Sequence, residues 1–262
     1  MISTIKLAAR NLTRYRRRTL LTAFLITLGV TALLIFLAAA GSFKQTMIGS
    51  ITDSMLGHLQ VHRKGYTASI DNLPLNMNLQ PKAVSRIEEM LKAEPEIIAH
   101  SKRVKLGAMF SNFTENTSIR LNGVDPLAED ATVPGLRQRI NDGDKTGALV
   151  SPGKVLIPQL LARGMKVKVG DQVVLVVTNS SGSVNGKSFI VGGVLDGVTG
   201  PGGRDGYIHI DDARELLRME QPEVMEIAVR LKSLDKLSEV QQRLGKALDE
   251  IRNKEDKPAT EL

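Results

Sequence analysis

Several residue groups have types and spacings that could do chemistry. His58 and His62 stand four apart in GHLQVHRKGY, a spacing that on a helix turns two imidazoles toward one metal ion. The segment alternates instead, with Leu59 and Val61 on one face and His58, Gln60 and His62 on the other, which predicts a strand. On a strand the rings would line one solvated edge, too far apart to share an ion easily, and no third ligand stands nearby. SGSVNGKS resembles a phosphate-binding loop. That motif needs four residues between its first glycine and its Gly-Lys pair, and here three separate Gly182 from Gly186. The stretch also leads into a strand where the motif needs a helix, so a hairpin turn is expected.

Ser151-Pro-Gly-Lys154 has serine–lysine spacing, and Lys145-Thr146-Gly147 is like a motif of penicillin-recognising enzymes. The order is reversed and the intervening Ser-Asp-Asn element is missing. GVTGPGGRDG (197–206) has no helix close enough behind it to hold a phosphate. It reads as a hairpin tip, and Gly200, Pro201, Gly202, Gly203 and Arg204 form a candidate partner-contact loop, since loops often carry contacts. No Ser-His-Asp set, carboxylate pair or ligand cluster stands out. The expectation is a protein without catalytic residues, metal or cofactor of its own.

The elements that carry these residues are set by the first forty. The chain has 262 residues and a net charge of +7. Six of those positive charges, Lys6, Arg10, Arg14, Arg16, Arg17 and Arg18, fall in residues 1–18 without one acid. Beyond Gly41 there are twenty-nine basic residues against twenty-eight acidic ones. A nucleic-acid binder spreads its basic residues over a folded face, so no nucleic-acid partner is expected. The absence of cysteine excludes disulfides, thiolate metal sites and cysteine nucleophiles.

From Thr19 to Ala40 nothing is ionisable. Twenty-two residues of helix cover about 33 Å, close to the roughly 30 Å of a bilayer's hydrocarbon core. The arginine cluster predicts a cytoplasmic N-terminus, with everything after Gly41 outside. The rival is a cleaved export signal, with Ala38-Ala39-Ala40 as the cleavage site and Arg17-Arg18-Thr19-Leu20-Leu21 like a twin-arginine signal, although a signal's apolar region is only about 7–15 residues. Ile2, Ile5, Ala9, Leu12 and Tyr15 recur at helical spacing beside Lys6, Arg10 and Arg14. That pattern predicts a basic amphipathic helix lying on the bilayer.

The expected organisation is a cytoplasmic interfacial helix (1–18), a transmembrane helix (19–41), a helical extension and connector strand (42–80), an extracytoplasmic α+β core domain (81–250) and a charged tail (251–262). QPKAVSRIEEMLKAEPEI is a helix with Pro81 in its first turn and Val84, Ile87 and Leu91 inward. RVKLGAMF, TSIRLNGVD, KVLIP, MKVKVGDQVVLVVT, KSFIVGGVLD, GYIHI and VMEIAVRLK are expected strands. Residues 124–150 read as a loop with one or two helical turns. Asp211 is the expected cap of a helix over DDARELLRM. Ser233 is expected to cap a long helix whose inner side holds Leu234, Leu237, Val240, Leu244 and Leu248.

AARNLTRYRRRTLLT resembles the N-terminal signature of MacB/FtsX-type ABC transporter permeases. VLIPQLLARGMKVKVGDQVVLVV, FIVGGVLD and YIHIDDARELL resemble the MacB-like periplasmic core domain of that superfamily. MLGHLQVHRKGYTASIDNLPL leans toward its lipoprotein-releasing, LolC/LolE-like branch. The resemblance implies a permease subunit in the bacterial inner membrane, with its main domain periplasmic. It implies a separate cytoplasmic ABC ATPase, a second permease subunit in a homo- or heterodimer, and extracytoplasmic work such as lipoprotein release or export. The family has further spans after this domain, through which the ATPase docks, and none is long and apolar enough after Gly41. The chain is therefore expected to be either the N-terminal part of a permease or a single-span relative. A single-span accessory or binding protein, and a secreted domain released near Ala40, are the alternatives.

Overall fold

The computed structural model describes residues 10, 14–197, 204–251 and 259–262. It divides into two units between Ile48 and Gly49.

The first unit is dominated by helix α1, Arg16–Ile51, which runs unbroken for 36 residues. Its apolar window has no buried residue. A core helix this apolar would be covered by protein, whereas Leu20, Phe24, Ile26, Leu33 and Phe36 are each more than half exposed. Two hydroxyls of the helix bond back to its own backbone. Thr22 Oγ1 donates to the Arg18 carbonyl at 2.9 Å, and Thr46 Oγ1 to that of Ser42 at 2.9 Å, the bonding back along a helix that Ser and Thr make.

The second unit is an α+β fold built on one sheet. In chain order its elements are β1 (Leu59–Arg63), α2 (Pro81–Ala93), β2 (Ile97–Ser111), β3 (Asn116–Val124), α3 (Pro126–Thr132), α4 (Gly135–Gln138), β4 (Ile140–Gly143), β5 (Lys154–Pro158), α5 (Gln159–Gly164), β6 (Gln172–Thr178), β7 (Val184–Leu195), β8 (Gly206–His209), α6 (Ile210–Leu217), β9 (Glu226–Leu231), α7 (Leu237–Leu248) and β10 (Thr260–Glu261).

The order β10-β1-β9-β2-β3-β8-β5-β7-β4 is completed by β6, which pairs with both β7 and β2. Strands β2, β3, β8, β5, β7 and β6 therefore close on themselves as a small barrel. Its β3–β8 and β5–β7 pairs are parallel and the others antiparallel. The N-terminal half of β2 leaves the barrel and pairs with β9 from Ile97 to Arg103, and β9, β1 and β10 extend the sheet as an arm.

Each half has its own core. Leu106, Phe110, Leu121, Ile157, Leu175, Phe189 and Ile208 fill the barrel with α6 against it. Val61, Ile227 and Val229 of the arm meet Ile87 and Leu91 of α2 and Val240, Leu244 and Leu248 of α7. Val84, Ile87 and Leu91 of α2 and Val240, Leu244 and Leu248 of α7 are thus the faces that the periodicity predicted, whereas Leu234, expected on the inner side of α7, lies in the turn before it and is exposed.

Local corrections follow from chemistry that the pattern conceals. Residues 124–150 hold two short helices and a strand. Asp125 caps α3 by accepting the Leu127 and Ala128 amides at 3.0 and 3.1 Å, with Pro126 at the first helical position. The cap of α6 is His209, whose Nδ1 accepts the Asp211 amide at 3.3 Å, and Asp211 already lies within the helix. Ser233 caps a 3₁₀ turn, Leu234–Lys236, and α7 begins only at Leu237. MKVKVG is a turn, so β6 starts at Gln172. The strand predicted in the 42–80 connector lies inside the sheet, between β9 and β10. His62 is accordingly buried, contrary to the expected solvated edge.

Candidate functional site

Residues Gly49–Leu56 bring the chain into the folded unit. The last turn of α1 widens into a π-helix over Thr52–Leu56, closed by the Gly57 amide donating to the Thr52 carbonyl at 2.9 Å. Single π turns in α-helices often mark functional positions. Here the widening turns Met55 into the protein, where it is buried, and aims Asp53 at β9.

Arg230 Nη1 donates to Asp53 Oδ1 at 2.9 Å and to the Thr132 carbonyl at 3.4 Å. His58 Nδ1 accepts the Leu231 amide at 3.1 Å. The ring proton of the neutral imidazole must then sit on Nε2, 3.7 Å from Asp53 Oδ1. Burial, reinforced by Arg230, holds the His58 pKa below its usual value. On the other flank Arg139 Nη1 donates to the Ser54 carbonyl at 3.3 Å and Arg139 Nε to that of Asp196 at 3.2 Å. Gly135 of α4 lies against the same turn. A Cβ there would come within 2.6 Å of Ser54 Oγ and 2.9 Å of the Asp53 carbonyl oxygen. The π turn is thus gripped by α4, by Arg139 at its C-terminal cap and by β9.

Next to this grip lies a buried set of charges on β2, β9 and α3. Arg103 is 2% exposed. Its Nε and Nη2 bind the two oxygens of Glu129 at 3.1 and 2.7 Å, and its Nη1 binds Glu226 Oε1 at 2.7 Å. Lys105 Nζ lies 2.5 Å from Glu226 Oε2. Two cations face two carboxylates, and this neutrality makes the burial tolerable. Burial alone would raise the Glu226 pKa, yet Lys105 and Arg103 overcome it and hold it down at about 2. Burial pulls Arg103 the other way, and Glu129 and Glu226 keep it above its ordinary range.

His62 stacks on Tyr66 at 4.8 Å between ring centroids. Its Nε2 lies 3.6 Å from Glu226 Oε2, and burial lowers its pKa despite that carboxylate. Nothing in this set is open to a substrate, so its chemistry is structural.

The motifs that tempt toward catalysis resolve into turns. Asn179 Oδ1 accepts the Ser181 and Ser183 amides in the β6–β7 hairpin. Asp144 Oδ1 does the same for Thr146 and Gly147. Lys187 of SGSVNGKS pairs with Asp212 at 2.7 Å. Among the described residues no group of three or more His, Asp or Glu side chains could hold a metal ion.

Of the predicted interface residues, Arg10, Arg14, Arg16, Arg17 and Arg18 are exposed. Lys6 lies outside the described residues, as do Gly200, Pro201, Gly202 and Gly203. Arg204 is described and exposed, and it lines a cleft of about 510 Å³ between β3 and α5. Sequence reasoning missed the Asp53–Arg230 and Arg103–Glu129–Glu226 partnerships. Each joins residues far apart in the chain, and the helix that covers Arg103 falls in the segment read as a loop.

Residues 19–247 match the family model described as MacB-like periplasmic core domain. No curated protein matches the chain. Among solved structures, the extracellular domain of the noncanonic ABC-type transporter YknZ from Gram-positive bacteria is 16% identical. The match covers 78% of this chain and 97% of that one, with a TM-score of 0.51. The periplasmic region of MacB from Actinobacillus actinomycetemcomitans is 12% identical, with 77% and 86% covered and a TM-score of 0.52. At these identities the likeness is one of fold.

Proposed function

The chain belongs to the MacB-like periplasmic core domain family, and on that premise we propose that it is the membrane-anchored permease part of an ABC transporter. In this reading α1 crosses the bacterial inner membrane. Lys6, Arg10, Arg14, Arg16, Arg17 and Arg18 hold its start on the cytoplasmic side, and the sheet-bearing unit works outside. A separate cytoplasmic ATPase supplies the energy, and a second permease subunit completes the pair. Displacement of α1 reaches the outer domain through the π turn. The observation that carries this reading is the continuity of one 36-residue helix into that turn, which the domain grips through Arg230, Arg139 and Gly135. The finer reading of the work is release of lipoproteins from the membrane, supported by the segment Met55–Leu75 that leans toward that branch. The loop around Arg204 is the proposed contact for partner or cargo.

The test is isolation of the complex from its native membrane into nanodiscs. The expected result is a second polypeptide with a phosphate-loop ATPase in fixed ratio, and ATP hydrolysis that Asp53→Ala uncouples from release of a labelled lipoprotein. A stable complex that hydrolyses no nucleotide would overturn the transporter reading in favour of an accessory binding protein.

A further inference from the structure

Strand β1 meets the π turn at His58, and a side chain finishes its ladder with β9. The last strand pair at this end is Leu59 with Val229. Gly57 turns the chain away at φ +76, and a Cβ on it would stand 3.1 Å from the Val229 carbonyl oxygen. The His58 amide still reaches that carbonyl, at 2.8 Å. Two residues further along β9, the Leu231 amide donates to His58 Nδ1 at 3.1 Å. The ring stands where the next carbonyl of the ladder would be. Beyond it β9 has an independent hold, because the Lys232 amide bonds the Glu96 carbonyl at 2.9 Å.

A backbone carbonyl accepts in acid as it does at neutral pH. An imidazole does not. Once it is protonated both its nitrogens are donors, and Nδ1–H would point at the Leu231 N–H. The His58 side chain is only 7% exposed, so the two donors would meet in a place shielded from water, where an amide without an acceptor is costly.

The charges that face the ring do not offset this. From the π turn, Asp53 Oδ1 lies 3.7 Å from Nε2, but that oxygen already accepts Arg230 Nη1 at 2.9 Å. From β9, Arg230 repels a second cation. Across the turn, Arg139 is engaged with the Ser54 and Asp196 carbonyls. A charged ring keeps its donor toward Asp53 and loses its bond to Leu231.

We propose that His58 is a pH-sensitive latch between the π turn and β9. Neutral, it ties the turn to the Leu231 amide. Protonated, it lets that amide go, and the turn loosens while β9 stays paired beyond it. Histidine is the side chain whose charge changes in mild acid, so the latch answers to the acidity around the domain. The inference rests on the bonds of this joint and stands whether or not the chain drives transport.

The test uses the full chain in nanodiscs, with nitrogen NMR of the His58 ring and amide exchange at single-residue resolution. Exchange is expressed as protection factors, so that the intrinsic effect of pH cancels. At about pH 7.5 the ring should be neutral with its proton on Nε2. Between there and about pH 5, Leu231 protection should fall at least tenfold, with the midpoint of the ring's own titration. Lys232 protection should change less than twofold. His58→Asn puts an amide oxygen near the place of Nδ1 and should hold Leu231 protected at both pH values, whereas His58→Ala should leave it open at both. Should neither variant fold, coincidence of the two midpoints in the unaltered chain decides alone. A ring proton on Nδ1 at the higher pH, a ring still neutral at the lower, or a Leu231 amide equally protected at both would overturn the proposal. So would an equal fall at Lys232, which would mean opening of the whole strand, or an equal fall at Leu231 in His58→Asn.

Discussion

Asp53, in the π turn that ends the long helix, accepts a 2.9 Å hydrogen bond from Arg230, 177 positions away on β9. Asp53 is 43% exposed, which limits the pair to about 1 kcal/mol of stability. Asp53→Ala should therefore leave the fold nearly intact while loosening the turn. The expected outcome is a melting temperature lowered by only a few degrees, alongside faster amide exchange across Thr52–Leu56. A loss of several kcal/mol would mean that the pair supports the whole fold.

The buried charges behave differently. Arg103→Met leaves Glu129 and Glu226 facing each other without their shared guanidinium, and breaking a buried ion set costs roughly 3–5 kcal/mol. For a domain of this size that amounts to a melting temperature lowered by about 10 °C. Arg103→Met combined with Glu129→Leu should recover part of the loss, which a thermal melt of the two variants would read directly.

Acid should unfold the domain in two stages. His58 and His62 have folded pKa values below their ordinary 6.5. As pH falls through 6.5 the unfolded chain takes up protons that the folded one resists, and stability declines. Glu226 titrates at about 2 when folded, against 4.5 ordinarily. Its contribution is complete above 4.5 and disappears as pH falls toward 2. Melting temperature against pH should be flat above about 7, sag below 6.5 and drop steeply below 4.5. Glu226→Gln should remove much of the second drop and retain the first.

Gly135→Ala places a methyl 2.6 Å from Ser54 Oγ and 2.9 Å from the Asp53 carbonyl oxygen. Overpacking of this kind costs roughly 1–3 kcal/mol. Ser54→Ala removes one contact and leaves the backbone contact, so the double variant should stay destabilised. Full rescue in a urea titration would show that the hydroxyl alone sets the fit.

Reversal of Arg16, Arg17 and Arg18 to Glu should disturb insertion, because basic residues beside a span set its orientation. Topology reporters fused after Ile251 would read this. An unchanged orientation would remove the cluster from that role.

The legible parts of this chain were those with a length or a period to read. The apolar run at 19–40 is legible from its length alone, and the inward faces of α2 and α7 and the alternating strands report burial against a single partner surface. Arg103 and Lys105 alternate with apolar residues and read as a solvated face. They are covered because α3, a seven-residue helix too short to show a period, lies over Arg103. Likewise His209 caps α6 two residues before Asp211, and α7 begins a turn after the Ser233 cap that the pattern placed at its start. The grip on the π turn depends on a glycine and two arginines whose partners only the fold brings near.

Strand β2 belongs to two structures at once, bonded to β9 over its first half and to β3 and β6 over its second. Its fifteen residues are one covalent rod. A pull on β9 along the strand direction stretches the whole row of β2–β9 hydrogen bonds in shear, all at the same time. A pull across it would peel them one by one. The same backbone is therefore stiff lengthwise and weak sideways, and the barrel receives axial tugs on the arm almost undiminished while sideways ones are lost in peeling.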